Sequence, residues 1–218
     1  MTLVLAALAV AAAYVLGSIP FGILVCRPLG KDPRSVGSGR TGGTNVYRTA
    51  GMPAALLTVA GDIAKGYAAV RFAQAIVPQG SWAEWAMALA ALAAILGHNY
   101  SAFLGMRGGA GSTPNVGALL AFDPRAFGIV LVVAAIALFG IGVASIASIT
   151  LSVAIAAAVT WLVVDGLLPP AALAYAAGQL ALVLFALRPN IARLRAGTER
   201  RIDFGARALR SGSEEERA

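Results

Sequence analysis

AFGIVLVVAAIALFGIGVASIASITLSVAIAAAVTWLVV, residues 126–164, runs for 39 positions without a charged side chain. A hydrocarbon core about 30 Å thick takes about 20 helical residues per crossing, so this run is long enough for two spans. Only helices and closed barrels satisfy their own backbone groups in lipid, and the sequence has no series of alternating strands of about 10 residues each. Residues 1–26, 85–106 and 166–187 are also free of charge. With 59% hydrophobic residues, 12% charged and a mean hydropathy of +0.79, the chain lies outside the range of a soluble domain. The expected fold is an all-α integral membrane protein, a polytopic bundle of about seven transmembrane helices and at least five. Helices are expected near 2–26, 53–76, 83–103, 126–142, 149–165 and 170–187, with a shorter piece near 113–122 that crosses only if its ends extend or the bilayer thins. The first stretch reads as a retained helix, since no basic segment precedes it and polar GSIPFG sits where it ends.

Orientation follows from the flanking cations. Arg27, Lys31, Arg34, Arg40 and Arg48 fall within 27–52, Arg107 within 104–115, and eight arginines follow residue 187. The opposite flanks hold Arg71 and Arg125 beside Glu84, Asp123 and Asp165. The N-terminus is therefore expected outside and the C-terminus in the cytoplasm, a parity that seven crossings satisfy. The tail, 188–218, reads as a basic cytoplasmic segment with a disordered end. The net charge of +7 suits anionic headgroups and equally a phosphorylated substrate.

The glycine-rich segments all fall on that cytoplasmic face. GSGRTGGTN, 37–45, and RGGAGSTPN, 107–115, each combine glycines with an arginine and hydroxyl or amide side chains. Glycine lets backbone amides converge into a nest that binds phosphate oxygens. Neither loop has the spacing of a Walker A motif. Mobile connectors and close helix packing remain the alternative for both. Inside the second apolar segment, GDIAKG places Asp62 and Lys65 three residues apart, on one helix face where they can pair. The one histidine, His98 in GHNYSAFLG, lies at a helix end, where proton transfer competes with a capping or packing role. Asn99, Tyr100 and Ser101 read as an interfacial belt and polar helix end. Cys26, the one cysteine, excludes an intramolecular disulfide and reads as a packing residue; with one histidine it makes no closed zinc site, and no metal is expected.

In order and spacing, GSIPFG, KDPRSVGSGRTGGTNVYRTAG, GDIAKG, GHNYSAFLGMRGGAGS, ASIASIT and PNIARLRAGTE resemble the bacterial acyl-phosphate:glycerol-3-phosphate acyltransferase family over about residues 15–200. The resemblance implies a seven-helix enzyme of phospholipid biosynthesis, with 1–187 as its transmembrane domain and its active site at the cytoplasmic face of the bacterial cell membrane. It implies transfer of a fatty acyl group from acyl phosphate to the 1-hydroxyl of glycerol 3-phosphate. Membrane lipids are the further partners, with no cofactor and no nucleic acid. Ser38, His98 and Asn190 are then the catalytic candidates. The phosphate-binding candidates are Gly37, Gly39, Arg40, Thr44, Asn45 and Arg48 from the first loop, and Arg107, Gly108, Gly109, Gly111 and Ser112 from the second. Asp62 and Lys65 form the intramembrane pair, Ser145 and Ser148 stand at a polar helix start, and Ser18 and Pro20 shape the end of the first helix.

The chain departs from the family pattern at several places. The family usually has asparagine at Arg40, alanine at Gly43, a phosphate-contacting lysine at Ala110 and a histidine at Leu187. Such departures keep open a relative with another acceptor, or a non-catalytic membrane protein that binds lipid or phosphate. A small organic-anion transporter also suits an intramembrane ion pair, although no convincing inverted repeat is present.

Overall fold

The computed structural model describes residues 1–202. Among them are nine α-helices and no strand: α1 (Thr2–Ser18), α2 (Phe21–Cys26), α3 (Gly43–Ala50), α4 (Met52–Ile76), α5 (Ser81–Asn99), α6 (Ser112–Phe122), α7 (Pro124–Ile141), α8 (Ala144–Val164) and α9 (Ala172–Arg195). Five stretches are long and apolar enough to cross a membrane: Thr2–Leu29, Ser81–Leu104, Pro124–Ile141, Ala144–Val164 and Ala172–Arg195. The 25 residues of α4 are long enough, but Asp62, Lys65 and Arg71 lie among them. The 11 residues of α6 cover only about 16 Å at about 1.5 Å per residue. The disordered end expected for the tail lies outside the described residues.

Three local features differ from the sequence expectation. The single helix expected over 2–26 is broken at Ile19, which is extended (φ −58°, ψ 117°) as residues before proline tend to be. The break frees two carbonyls for other helices. That of Ile19 accepts from Lys65 Nζ at 2.9 Å, and that of Ser18 accepts from Ser101 Oγ at 2.6 Å. Within the 27–52 loop, GTNVYRTA forms α3, which buries Val46 beside Cys26 and Ala54 and also buries Asn45. Finally, α9 does not stop at 187 but continues through Pro189 to Arg195. Proline inside a membrane helix is tolerated where neighbours supply donors to the loosened turn, and Arg40 donates to the carbonyl of Ala186.

Small residues set the close packing. Ala6, Ala9 and Ala13 of α1 meet Ala83, Ala86, Ala90, Ala93 and Ala94 of α5 in one buried cluster. A side chain at Gly97 would run into the backbone of Tyr14 and Ser18. Alanine and glycine let helix backbones approach where lipid offers no hydrophobic drive to associate. On the other side, α6 is clasped by α4, α8 and α9. Tyr175 OH donates to Asn115 Oδ1 at 2.6 Å, Asn115 donates to Gln179, and Gln179 Nε2 donates to the Ser152 carbonyl at 2.9 Å. Phe122 stacks on the Tyr175 ring with centroids 5.0 Å apart. This buried polar chain fixes α6 along its axis, and with it the position of its first turn.

Candidate active site

A cavity of about 250 Å³ opens at one end of the bundle, where α3, α6 and α8 begin and α9 ends. Gly42–Thr44, Gly111–Thr113 and Ala144–Ser145 all line it. None of these three helix starts has a side-chain cap. First-turn amides have no partner within their own helix, and the helix dipole adds positive potential there, so three starts around one cavity give it the chemistry that suits an anion.

The cation count agrees. Arg40, Arg48, Arg193 and Arg200 line the same cavity. Arg40 and Arg48 form no ion pair among the described residues. Burial holds Arg40 below the ordinary arginine value, and the charge of Arg193 adds to that effect. Burial also lowers Arg48, with Arg200 contributing. Glu199 is the carboxylate in the lining. It accepts from Asn190 Nδ2 at 2.7 Å, Arg193 Nε at 2.7 Å and Ser145 Oγ at 3.1 Å. Burial raises its pKa, but those three bonds outweigh burial and hold the carboxyl below its usual range. The segment after α9 is thereby strapped across the cavity, and Ile202 N completes the strap by donating to the Gly142 carbonyl at 2.7 Å.

Away from this polar mouth the walls become apolar. Val59 and Ile63 of α4, Val116 of α6, Leu131, Ala134 and Leu138 of α7, and Leu151 of α8 continue the same cavity. One end of the cavity is cationic and the other is apolar.

The structure brings together Ser38, Arg40, Thr44, Asn45, Arg48, His98, Gly109, Gly111, Ser112 and Asn190 from the sequence candidates. Ser38 lines the cavity, and its amide donates to Asn45 Oδ1 at 3.2 Å. Asn45 is the hub of the first loop rather than a free ligand. Its Nδ2 faces the carbonyls of Pro33, Val36 and Arg40, so its hydrogen-bonding capacity goes to wrapping 33–40 around itself. Gly37 belongs to that wrap: its φ is +59°, and a side chain there would strike Asn45 Oδ1. Gly37, Gly39, Arg107 and Gly108 do not line the cavity, and Arg107 is exposed.

The second loop also differs from a simple nest. The Gly109 amide, expected to face a phosphate, donates to the His98 carbonyl at 2.9 Å. What the glycines contribute is the absence of side chains. A Cβ at Gly108 would strike the His98 carbonyl, and one at Gly109 the His98 ring. Asp62 and Lys65 do pair, at 2.8 Å, and His98 Nδ1 joins them 2.9 Å from Lys65 Nζ. Asn99 and Ser101, expected as an interfacial belt, are buried, because Ser101 donates into the helix break at Ser18. Glu199 was legible only as one carboxylate among arginines in PNIARLRAGTE. The helix start at Ala144 has no side-chain cap. Uncapped helix starts leave no composition signal.

Comparison with known proteins agrees with this geometry. The model of the family described as glycerol-3-phosphate acyltransferase matches residues 7–197. A glycerol-3-phosphate acyltransferase of Bordetella pertussis is 50% identical over 113 residues, 51% of this chain and 52% of the relative, so that match spans about half the length of the relative. One from Bordetella petrii is 43% identical over 207 residues, covering 91% of this chain and 93% of the relative. One from Neisseria meningitidis serogroup B is 36% identical over 196 residues, covering 89% and 96%. Among solved structures, the glycerol 3-phosphate form of PlsY, an integral membrane glycerol 3-phosphate acyltransferase, superposes with a TM-score of 0.81 at 33% identity, covering 94% of this chain and 98% of that one. Its lysophosphatidic acid form gives 0.79 at 32% identity, covering 91% and 95%. With six ordered motifs, an all-helical membrane bundle and a family match over most of its length, the chain belongs to the glycerol-3-phosphate acyltransferase family.

Proposed function

We propose that this protein transfers a fatty acyl group from acyl phosphate to the 1-hydroxyl of glycerol 3-phosphate, giving lysophosphatidic acid and inorganic phosphate, at the cytoplasmic face of a bacterial cell membrane. The observation that carries this reading is the junction, in one cavity, of three uncapped helix starts, an apolar arm, and Arg40 and Arg48, which form no ion pair among the described residues. Acyl phosphate is an activated mixed anhydride, so the reaction needs no enzyme nucleophile. The site has to hold two anions side by side and stabilise charge at the carbonyl. In the proposed arrangement the acyl chain lies along Leu131, Ala134, Leu138 and Leu151. The starts of α6 and α8 hold the donor phosphate, and Arg48 with Arg40 grips the acceptor phosphate. The acceptor hydroxyl adds to the carbonyl carbon, the bond from that carbon to the phosphate oxygen breaks, and the hydroxyl proton ends on the departing phosphate. Ser38 donates a hydrogen bond to the oxygen on which charge develops. Asn190 and Ser145 act through Glu199, which holds the strap over the bound anions.

The test is an assay of purified protein with acyl phosphate and labelled glycerol 3-phosphate, with lysophosphatidate and released phosphate both followed. Equal amounts of the two products are expected. Phosphate release without labelled lipid would mean another acceptor, and neither product would sink the reading. In the same assay Ser38→Ala is expected to lower turnover by about 10²-fold, the effect of removing one transition-state donor.

A further inference from the structure

His98 lies in the last turn of α5 with its ring between α4 and the second glycine loop, and its two nitrogens face different surroundings. Nδ1 lies 2.9 Å from Lys65 Nζ and 3.4 Å from Asp62 Oδ1. Lys65 Nζ sits 2.8 Å from Asp62 Oδ1 and donates to the Ile19 carbonyl at 2.9 Å. A lysine held between a carboxylate and a carbonyl is an ammonium, which has donors and no acceptor. A ring nitrogen at hydrogen-bond distance from an ammonium must present its lone pair, since a proton there would set N–H against N–H. A neutral imidazole carries one proton, which is then on Nε2. Nε2 lies beside Gly109, where a Cβ would strike it, and the ring lines the cavity. No group among the described residues accepts from Nε2. The charged groups facing the ring are Lys65 and Asp62 from α4 and Arg40 from the first loop. A second proton on the ring would add charge between two cations.

We infer that Lys65, braced by Asp62 and the Ile19 carbonyl, is a positioning residue that locks His98 in its Nε2–H tautomer, so that the imidazole meets a bound phosphoryl oxygen as a neutral donor and not as a base. This rests on the acyltransferase reading only for the identity of the anion. A base at Nε2 would need a lone pair on the nitrogen that carries the proton. The proton of the acceptor hydroxyl therefore does not pass to His98.

The chain has a single histidine, so histidine-selective 15N labelling reports these two nitrogens alone. The parent protein should show a bare Nδ1 and a protonated Nε2 throughout about pH 5–8, the interval in which an unperturbed imidazole changes charge. Inorganic phosphate should shift the Nε2 signal and leave Nδ1 nearly in place. A proton on Nδ1, a doubly protonated ring within that interval, or an Nε2 signal indifferent to saturating phosphate would each overturn the inference. In Lys65→Met the nearest polar partner of Nδ1 becomes Asp62, so the proton should move to Nδ1 and the phosphate response should vanish. Retention of the Nε2–H tautomer there would refute the role of Lys65. Should that variant not fold, Lys65→Arg keeps a donor-only cation and should keep the parent tautomer, a switch counting against the proposal. None of these spectra needs an acyl donor. Acyl transfer by a protein with the opposite tautomer would sink this inference alone, and the predicted tautomer without acyl transfer would sink the reaction alone.

Discussion

Arg40 carries the clearest divergence from the family pattern, and its surroundings give that divergence a physical meaning. Its guanidinium reaches across from the first loop to the Ala186 carbonyl of α9, and it lines the same cavity as Arg48 and Ala110. Ala110 stands where the family usually carries a phosphate-contacting lysine, so Arg40 is placed to supply the missing cation from the facing wall. Arginine grips phosphate through two parallel donors where lysine acts as a point charge, and the exchange would shift the anion slightly while keeping it bound. The four proteins parent, Arg40→Asn, Ala110→Lys and the double change decide the matter through acceptor affinity. Arg40→Asn alone is expected to be the weakest, and the double change should recover most of the loss, a coupling of about 1 kcal/mol or more. Additive effects would leave Arg40 as a helix tether only. Glu199 makes a separate, pH-dependent prediction. Its folded pKa is depressed by Asn190, Arg193 and Ser145 despite burial. Its contribution to stability is therefore fully present above the ordinary carboxylate value of about 4.3 and is lost as the pH falls through the lower folded value. Limited proteolysis of the strap at 196–202 should accelerate in that acid window in the parent, while Glu199→Gln should show the same rate on both sides of it.

At the level of helices, the buried chain Tyr175–Asn115–Gln179–Ser152 is what holds a helix too short to cross on its own. Asn115→Leu removes the side-chain acceptor of Tyr175, which keeps only the residue-115 carbonyl at 3.0 Å, and the donor to Gln179, leaving Gln179 Oε1 unpaired between α6 and α9. Interhelical hydrogen bonds in membranes are worth about 1 kcal/mol, so a loss of that order is expected in detergent unfolding. Acyl transfer should fall as well, because the first turn of α6 loses its register at the cavity. Gln179→Leu should do the same, and unchanged activity in both would show that α6 is held by packing alone. The long apolar helices were legible in the sequence because lipid imposes length and freedom from charge, as 126–164 illustrates. The break at Ile19 was legible only as an oddity, GSIPFG, since its purpose lies in Lys65 and Ser101, which are 46 and 83 residues from their acceptors. Residues 43–50 concealed a helix because glycine, threonine and asparagine are poor helix formers, and the helix packs against α2 and α4, which its own sequence does not disclose. Candidate site residues were found where charge or glycine marks them. The hub role of Asn45 and the engaged amide of Gly109 depend on partners that no spacing discloses.

Across the whole molecule, the cavity residues sort the helices by direction. Val59 and Ile63 from the first half of α4 line it, as do His98 at the end of α5, the starts of α6 and α8, Leu138 near the end of α7 and Asn190 near the end of α9. A second cleft takes the other ends: Tyr67 and Arg71 of α4, Glu84 of α5, Phe122 of α6, Pro124 at the start of α7 and Leu168 after α8. The chain therefore shuttles between two ends of one bundle, with α6 making its pass although it is short. The short pass is possible because the middle of α6 is buried by neighbouring helices and its two ends line the cavity and the second cleft. Passes by α1, α4, α5, α6, α7, α8 and α9 would be odd in number and would put Thr2 and Arg195 on opposite faces. The positive-inside rule predicts the cytoplasm for the arginine-rich cavity end. Single cysteines in a background of Cys26→Ala test the assignment, with Ser35 at the cavity end and Gln79 in the exposed turn between α4 and α5. A membrane-impermeant thiol reagent should label Gln79→Cys in cells whose cytoplasmic membrane is intact, and Ser35→Cys only after that membrane is opened. Labelling of Ser35→Cys in intact cells would place the cavity outside. An intracellular acyl phosphate could not then reach the arginines, and the proposed reaction would fail on topology alone.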